Sequence, residues 1–334
     1  MKHLQKLQSE KAISFVKETF EKELSKKLHL HKISSPIAVL DGTGINDDLN
    51  GIERPVSFPI KHLGEQKAVV VHSLAKWKRL RLYEFDIPQD EGIITDMRAL
   101  RPDEDETYLH SIYVDQWDWE KHIDSSDRNI SYLKETVKLI YEVMKETEKS
   151  VSDKYQISKI LPDEITFIHT EALREMFPKL TPKQREDKIV AEHKAVFLIG
   201  IGGALSDGSI HDGRAPDYDD WSSFSSQGLP GLNGDILVWH PELQRSFEIS
   251  SMGIRVDAKA LKKQLKIRKA EERESLSYHQ LLLAEKLPQS IGGGIGQSRL
   301  VMFMLKKRHI GEVQVGIWKE KTRKSLLDDG IVLL

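Results

Sequence analysis

Apolar positions along the chain fall into two rhythms. Ile13, Val16, Phe20, Leu24 and Leu28 recur every three or four residues with Lys and Glu between them, which predicts an amphipathic helix over 9–30. Pro36 cannot continue it, so Leu30, Ile33 and Ile37 leave the helix behind. Alternating or continuous apolar runs predict strands at 67–74, 109–119, 234–239 and 245–251. Helical spacing returns at 130–150, 170–176, 183–193, 257–285 and 297–307. Strands and helices come in blocks rather than strict alternation, which favours a mixed, largely antiparallel α/β (α+β) sheet flanked by helices over a doubly wound one. No long period repeats and no composition break divides the chain, so one domain over 1–334 is expected.

Composition narrows the classes. The 334 residues are 39% hydrophobic and 31% charged, with 50 Lys+Arg against 52 Asp+Glu, a soluble-globular balance with no global pull toward nucleic acid or anionic membrane. The start, MKHLQKLQSEKAISF, lacks the apolar core of a signal peptide, and no apolar run nears the ~20 residues of a membrane span. There are no cysteines, which excludes disulfides, thiolate metal sites and cysteine nucleophiles. The 13 histidines show no metal-pairing spacing, so no zinc is expected. A cytoplasmic protein with an oxygen- and nitrogen-based site is the expectation.

Several segments carry candidate chemistry. In the strand after Arg101, alternation sets Ile112, Val114, Gln116 and Asp118 on one face and Tyr113, Asp115, Trp117 and Trp119 on the other. That is either a pocket floor or the wet face of an edge strand, with the two readings even. A hairpin turning at Pro241-Glu242 would set Asp235 directly opposite Glu248. Like charges across a ladder need a compensator, and Mg²⁺, which takes one or two protein carboxylates plus phosphates, suits it. The glycines of IGGGIGQSR (291–299) read as a close backbone approach to a ligand before a helix whose first turn holds Arg299. FLIGIGGALSDG (197–208) fits neither a dinucleotide fingerprint nor a P-loop. The polar stretch 203–233, with its Asp-Tyr-Asp-Asp-Trp core, reads as an ordered substrate loop rather than a linker. Lys76, Lys78 and Arg79 around Trp77 read first as a solvated face, and Asp47 and Asp48 as part of a turn-rich loop.

Together these strings resemble the three motifs of the class II aminoacyl-tRNA synthetase fold. Leu30, Ile33, Pro36 and Ile37 after the long helix resemble the first, LRPDED with LHSIYVDQWDWE the second, and the glycines 292–296 with Arg299 the third. The first motif starts within the first helix, leaving no room for an anticodon-binding barrel. With HSLAKWKR, RAPDYDDW, NGDILVW and FEISSMGIR, the chain resembles the ammonia-dependent asparagine synthetase (aspartate–ammonia ligase) family from about residue 10 onward.

That resemblance implies adenylation of the β-carboxylate of L-aspartate by ATP with Mg²⁺, then displacement of AMP by ammonia, in a homodimer that needs no tRNA. It implies Arg101 on the α-phosphate, Arg299 over adenine or phosphates, and Ser111, Val114 and Gly294 bordering the nucleotide. Asp235 and Glu248 would hold the metal. Asp47, Lys78, Gln116, Asp118, Asp219, Ser251 and Arg299 would take aspartate. Asp118 or Asp219 would bind its ammonium and Lys78 a carboxylate, while Asp47 would attract ammonium or help deprotonate it. Alternatives are an aspartyl- or asparaginyl-tRNA synthetase core that charges tRNA, a non-catalytic amino-acid-binding paralogue, and a Rossmann-type nucleotide enzyme.

Overall fold

The structure is a computed structural model; it describes residues 2–47, 53–225 and 228–334, with side chains from residue 6. Asp48 lies outside the described residues. The chain opens with helix α1 (Lys2–Leu28), strands β1 (Leu30–Lys32), β2 (Ala38–Leu40), β3 (Ser57–Ile60) and β4 (Gln66–Val70), and helix α2 (Ala75–Glu84). Then follow β5 (Gly92–Leu100), β6 (Tyr113–His122), α3 (Ile130–Tyr155), β7 (Thr166–His169), α4 (Thr170–Met176), α5 (Pro182–His193) and β8 (Ala195–Ile199). The last third holds β9 (Asn233–His240), β10 (Arg245–Ile254), α6 (Ala258–Arg268), α7 (Ser277–Leu283), β11 (Ser290–Gly296), α8 (Gln297–Met304) and α9 (Glu320–Asp328).

Eight strands form one sheet in the order β1-β5-β6-β11-β10-β9-β8-β7, and β2-β4-β3 form a second. Only β1–β5 and β7–β8 run parallel; the other pairs of the large sheet are antiparallel, as the blockwise pattern predicts. β6 lies inside the sheet between β5 and β11, so the edge-strand reading is wrong. Its alternation holds: Trp117 and Trp119 are buried in the core, where the Phe20 and Trp117 rings sit 4.8 Å apart. The α1 stripe Val16, Phe20, Leu24 and Leu28 is buried in the same core with α3 and α8. Gln116 and Asp118 face the other way, toward a cavity. Among the described residues no helix is long and apolar enough to cross a membrane.

Four readings need correction. The glycines 292–296, read only as a close backbone approach before a helix, form a central strand, β11. A Cβ on Gly294 would come within 2.5 Å of the Gln116 amide, so the missing side chains make room for polar groups on neighbouring β6. The strand expected through Leu74 ends at Val70, and α2 carries Lys76, Lys78 and Arg79 fully buried rather than on a solvated face. The helix expected over 257–285 breaks after Arg268, where Lys269 adopts a left-handed cap, and resumes as α7. Strands β5, β7 and β8, buried or short, lacked the alternation sought.

Candidate active site

The cavity, of about 600 Å³, opens on the polar face of the large sheet. Its walls include Asp47, Lys78, Arg101, Ser111, Val114, Gln116, Asp118, Asp219, Glu248, Ser251, Gly294 and Arg299. Of the candidate residues only Asp235 is not on that wall.

Helix α2 lies across β6 and β11 and lowers Lys78 into the floor, where Nζ donates to Asp118 Oδ1 at 2.5 Å and to the Gly293 carbonyl at 2.8 Å. Burial pulls the Lys78 ammonium below its ordinary value despite the Asp118 carboxylate. Asp118 Oδ2 is buried with no hydrogen-bond partner, an acceptor held ready for a donor. Arg79 supports the helix from behind by donating to the Pro288 and Val256 carbonyls at 2.9 and 2.6 Å.

Beside this pair runs a buried network that sequence reasoning missed. Arg255 donates to Glu120 through Nε at 2.9 Å and Nη2 at 2.7 Å, and through Nη1 to Asp219. Burial alone would raise the Glu120 carboxyl, but Arg255 outweighs it and holds it below its ordinary value. A bridge between Asp219 and Arg255 ties the 203–233 loop to the end of β10. The loop is ordered where described: Asp217, Tyr218, Asp219, Asp220 and Trp221 are covered, and Arg214 reaches back into the cavity. Gly202, at φ +105°, leaves room for Arg214 and Trp221, whose atoms a Cβ would meet at 2.6 and 2.9 Å.

Arg214 corrects the hairpin reading. The ladder pairs Asp235 with Ser251 and Glu248 with Leu237: His240 pairs with Arg245 across a four-residue turn, which moves the register by two, and the shift between Glu248 and Ser250 moves it by one more. Asp235 and Glu248 are therefore diagonal rather than opposite. Asp235 sits behind Arg214, which donates to it at 2.6 Å and also to Ser251 Oγ. Burial pushes the Asp235 carboxyl up to about 6, Arg214 working against the rise and Glu248 with it.

Arg101 and Arg299 both line the cavity. Arg101 Nη2 donates to the His72 carbonyl at 3.2 Å, while its buried Nε has no hydrogen-bond partner. Arg299, in the first turn of α8, lies 3.6 Å from Glu248 and 2.9 Å from His110 Nε2. Burial, then the Arg299 charge, brings His110 down to about 4, so this imidazole is neutral and accepts from Arg299. Ser111 and Gln314 meet at 3.3 Å on the neutral wall that also holds Val114. Asp47, in the loop after β2, is buried, with its carbonyl 3.1 Å from His72 Nδ1.

Residues 7–330 match the aspartate–ammonia ligase family. The chain belongs to it. The aspartate–ammonia ligase of Bacteroides thetaiotaomicron is 57% identical over 318 residues, covering 95% of this chain and 92% of the relative. That of Parabacteroides distasonis is 55% identical over 328 residues, covering 98% and 95%. Among solved structures, asparaginyl-tRNA synthetase from Pyrococcus horikoshii complexed with asparaginyl-adenylate superposes with a TM-score of 0.66 at 15% identity, over 92% of this chain and 68% of that one. The Entamoeba histolytica asparaginyl-tRNA synthetase gives 0.65 at 16%, over 93% and 67%. At such identity these two show that the family shares the class II synthetase fold. The Rossmann alternative is thereby removed.

Proposed function

We propose that this chain joins ammonia to the β-carboxylate of L-aspartate at the expense of ATP, giving L-asparagine, AMP and pyrophosphate. Family membership over nearly the whole chain carries the reading. The site supports it chemically. A carboxylate is a poor electrophile, so an aspartate oxygen first attacks the α-phosphorus and pyrophosphate leaves with the electron pair of the broken P–O bond. Arg101, with a free buried Nε, is placed to hold the α-phosphate through its fork. Arg299 covers the nucleotide, whose adenosine part lies along Ser111, Val114 and Gly294. The zwitterion of aspartate meets Lys78 with its carboxylate and Asp118 or Asp219 with its ammonium, Gln116 and Ser251 completing the polar wall. Ammonia then attacks the acyl carbon and AMP departs. Asp47, buried beside the cavity, attracts ammonium or takes its proton.

Mg²⁺ would enter the hairpin where Asp235 exchanges its Arg214 partner for the ion. Asp235 and Glu248 are hard oxygen donors, near enough that Glu248 raises Asp235. Among the described residues no group of three or more such ligands gathers, so phosphate oxygens would complete the shell. These two residues would hold the ion, which when bound neutralises phosphate charge.

We further infer that residues 1–334 act as one catalytic domain, in the cytoplasm, as a homodimer that uses no tRNA, nucleic acid or membrane. The α1 stripe is consumed by this chain's own core, whereas Ile37, Leu40 and Phe58, beside and within the small sheet, are exposed and suit a two-fold mate. Sedimentation as a monomer at micromolar concentration would remove the dimer. AMP formed from ATP, aspartate and ammonium without tRNA tests the activity; AMP formed only when tRNA is present would favour a charging synthetase.

A further inference from the structure

Chemically the cavity has three ends. Ser111, Val114 and Gln314 form a neutral wall, and Lys78, Gln116 and Asp118 form the zwitterion floor. The third end, around Glu248, sets the carboxylates Glu186 and Asp212 among Arg299, the Asp235-paired Arg214 and two further cations, Lys183 and Arg245.

Both are delivered by tertiary structure. Thr181 caps α5 and places Lys183 in its first turn. Asp187, one turn on, accepts from the Ser246 amide at 2.7 Å and its hydroxyl at 2.9 Å, clamping α5 against the start of β10. Lys183 therefore stands beside the strand that carries Glu248. Its Nζ donates to Glu186 at 2.8 Å, and the other Glu186 oxygen meets His211 Nε2 at 3.0 Å, so the anchoring carboxylate is shared with a buried imidazole. Burial would lower the Lys183 ammonium, but Glu186, with Glu248 and Asp212 behind it, raises it, and the residue stays charged. Arg245, the first residue of β10, makes no ion pair among the described residues, and its charge reaches His110.

We propose that Lys183 and Arg245 bind the β- and γ-phosphates of ATP and hold the pyrophosphate as it departs. The inference rests on the adenylation reading. When the aspartate oxygen bonds to the α-phosphorus, the bond from that phosphorus to the bridging oxygen breaks, and its electron pair leaves on pyrophosphate. The charge that must be met lies on the far side of the α-phosphate from aspartate, at the end where the Lys183 ammonium faces Glu248 and the Arg245 guanidinium acts on His110. A mobile point charge and a planar fork are complementary phosphate ligands.

The test is product inhibition of aspartate-dependent AMP formation by inorganic pyrophosphate and by AMP, in wild type, Lys183→Met, Lys183→Arg and Arg245→Ala. Lys183→Met and Arg245→Ala should each weaken pyrophosphate inhibition about tenfold and raise KM for ATP, leaving inhibition by AMP and KM for aspartate unchanged. Lys183→Arg should restore most of the pyrophosphate inhibition. Pyrophosphate inhibition unchanged in both variants, with melting temperatures near wild type, overturns the proposal and leaves Lys183 as a helix-surface ion-pair partner. Should Lys183→Met not fold, Lys183→Gln and Arg245→Ala decide by the same criterion. Wild-type protein that forms neither pyrophosphate nor AMP from ATP, aspartate and ammonium breaks the adenylation reading instead. Calorimetric binding of inorganic pyrophosphate to wild type and variants then still judges the two cations.

Discussion

The two faces of strand β6 are built from alternate residues of one short segment and solve opposite problems. Trp117 and Trp119 enter a core of aromatic and aliphatic side chains from α1, α3 and α8. Gln116, Asp118 and Glu120 enter a face where Lys78, Arg255 and Asp219 are as deeply buried as the tryptophans. The apolar face gains free energy from every group it removes from water. The charged face only recovers, through partners, what desolvation costs, and a well-packed apolar substitute would often be as stable. On the charged face Asp118 Oδ2, and beside it Arg101 Nε, are buried without a hydrogen-bond partner.

The sharpest test is one deep truncation on each face. Arg255→Met leaves Glu120 buried without its guanidinium and Asp219 with only Arg214 at 3.5 Å, and should cost about 3–5 kcal/mol, with activity lost even where the variant is folded. Phe20→Ala, on the other face, should cost a similar ~3–5 kcal/mol through the cavity it opens against Trp117, yet leave KM for ATP and aspartate near wild type at low temperature. Denaturant unfolding and steady-state kinetics on both variants check this. Equal loss of activity per unit of lost stability would mean the faces are not functionally separate.

Arg101→Lys removes a fork and keeps a charge. Adenylation should fall roughly 10²-fold, the order seen when one donor to a developing charge is lost, with the melting temperature unchanged. Near-normal pyrophosphate release would take Arg101 off the α-phosphate.

A pH dependence separates the faces without truncation. Asp235 is raised to about 6 in the folded chain, against roughly 3.9 for an unfolded aspartate. Between these values the folded state binds the extra proton, so this group makes stability fall as pH rises from about 4 to 6, and adds no slope above that. Asp235→Asn should remove that part of the profile, while Phe20→Ala shifts the whole profile without changing its shape. Parallel profiles for wild type and Asp235→Asn would show that Asp235 is not raised.

The unequal legibility of the two faces has the same origin. The α1 stripe and the Trp117/Trp119 alternation are local patterns, visible because hydrophobicity repeats with the period of the element. Candidate residues other than Asp235 meet on one cavity wall because motif strings fix their order along strands and helices. What escaped is tertiary. Glu120, Asp219 and Arg255 are far apart in sequence, and nothing local marks them as partners. Lys76, Lys78 and Arg79 look like a wet surface until their carboxylate and carbonyl partners arrive from elsewhere. Asp235 faces Ser251 rather than Glu248 because the hairpin turns over four residues instead of two and one further residue is left unpaired after Glu248, neither of which a composition rule detects. The β11 glycines carry no strand propensity, since their role is the space they leave for Gln116 and Glu120.

The smallest expected effect sets the baseline for the apolar face. Asn129 caps α3 by accepting from the Tyr132 amide at 2.9 Å, satisfying a donor that the first helical turn leaves free. α3 buries Leu133, Val137, Ile140 and Met144 against the core and contributes nothing to the cavity wall. Asn129→Ala should therefore cost only about 1 kcal/mol, because the apolar stripe holds the helix even when one amide must turn to water. KM for ATP and aspartate, pyrophosphate inhibition and the slope between pH 4 and 6 should all stay at wild-type values. If so small a change at the helix start moved KM for either substrate, the two faces of the sheet would be coupled through α3. The separation argued from β6 would then fail at its least perturbed point.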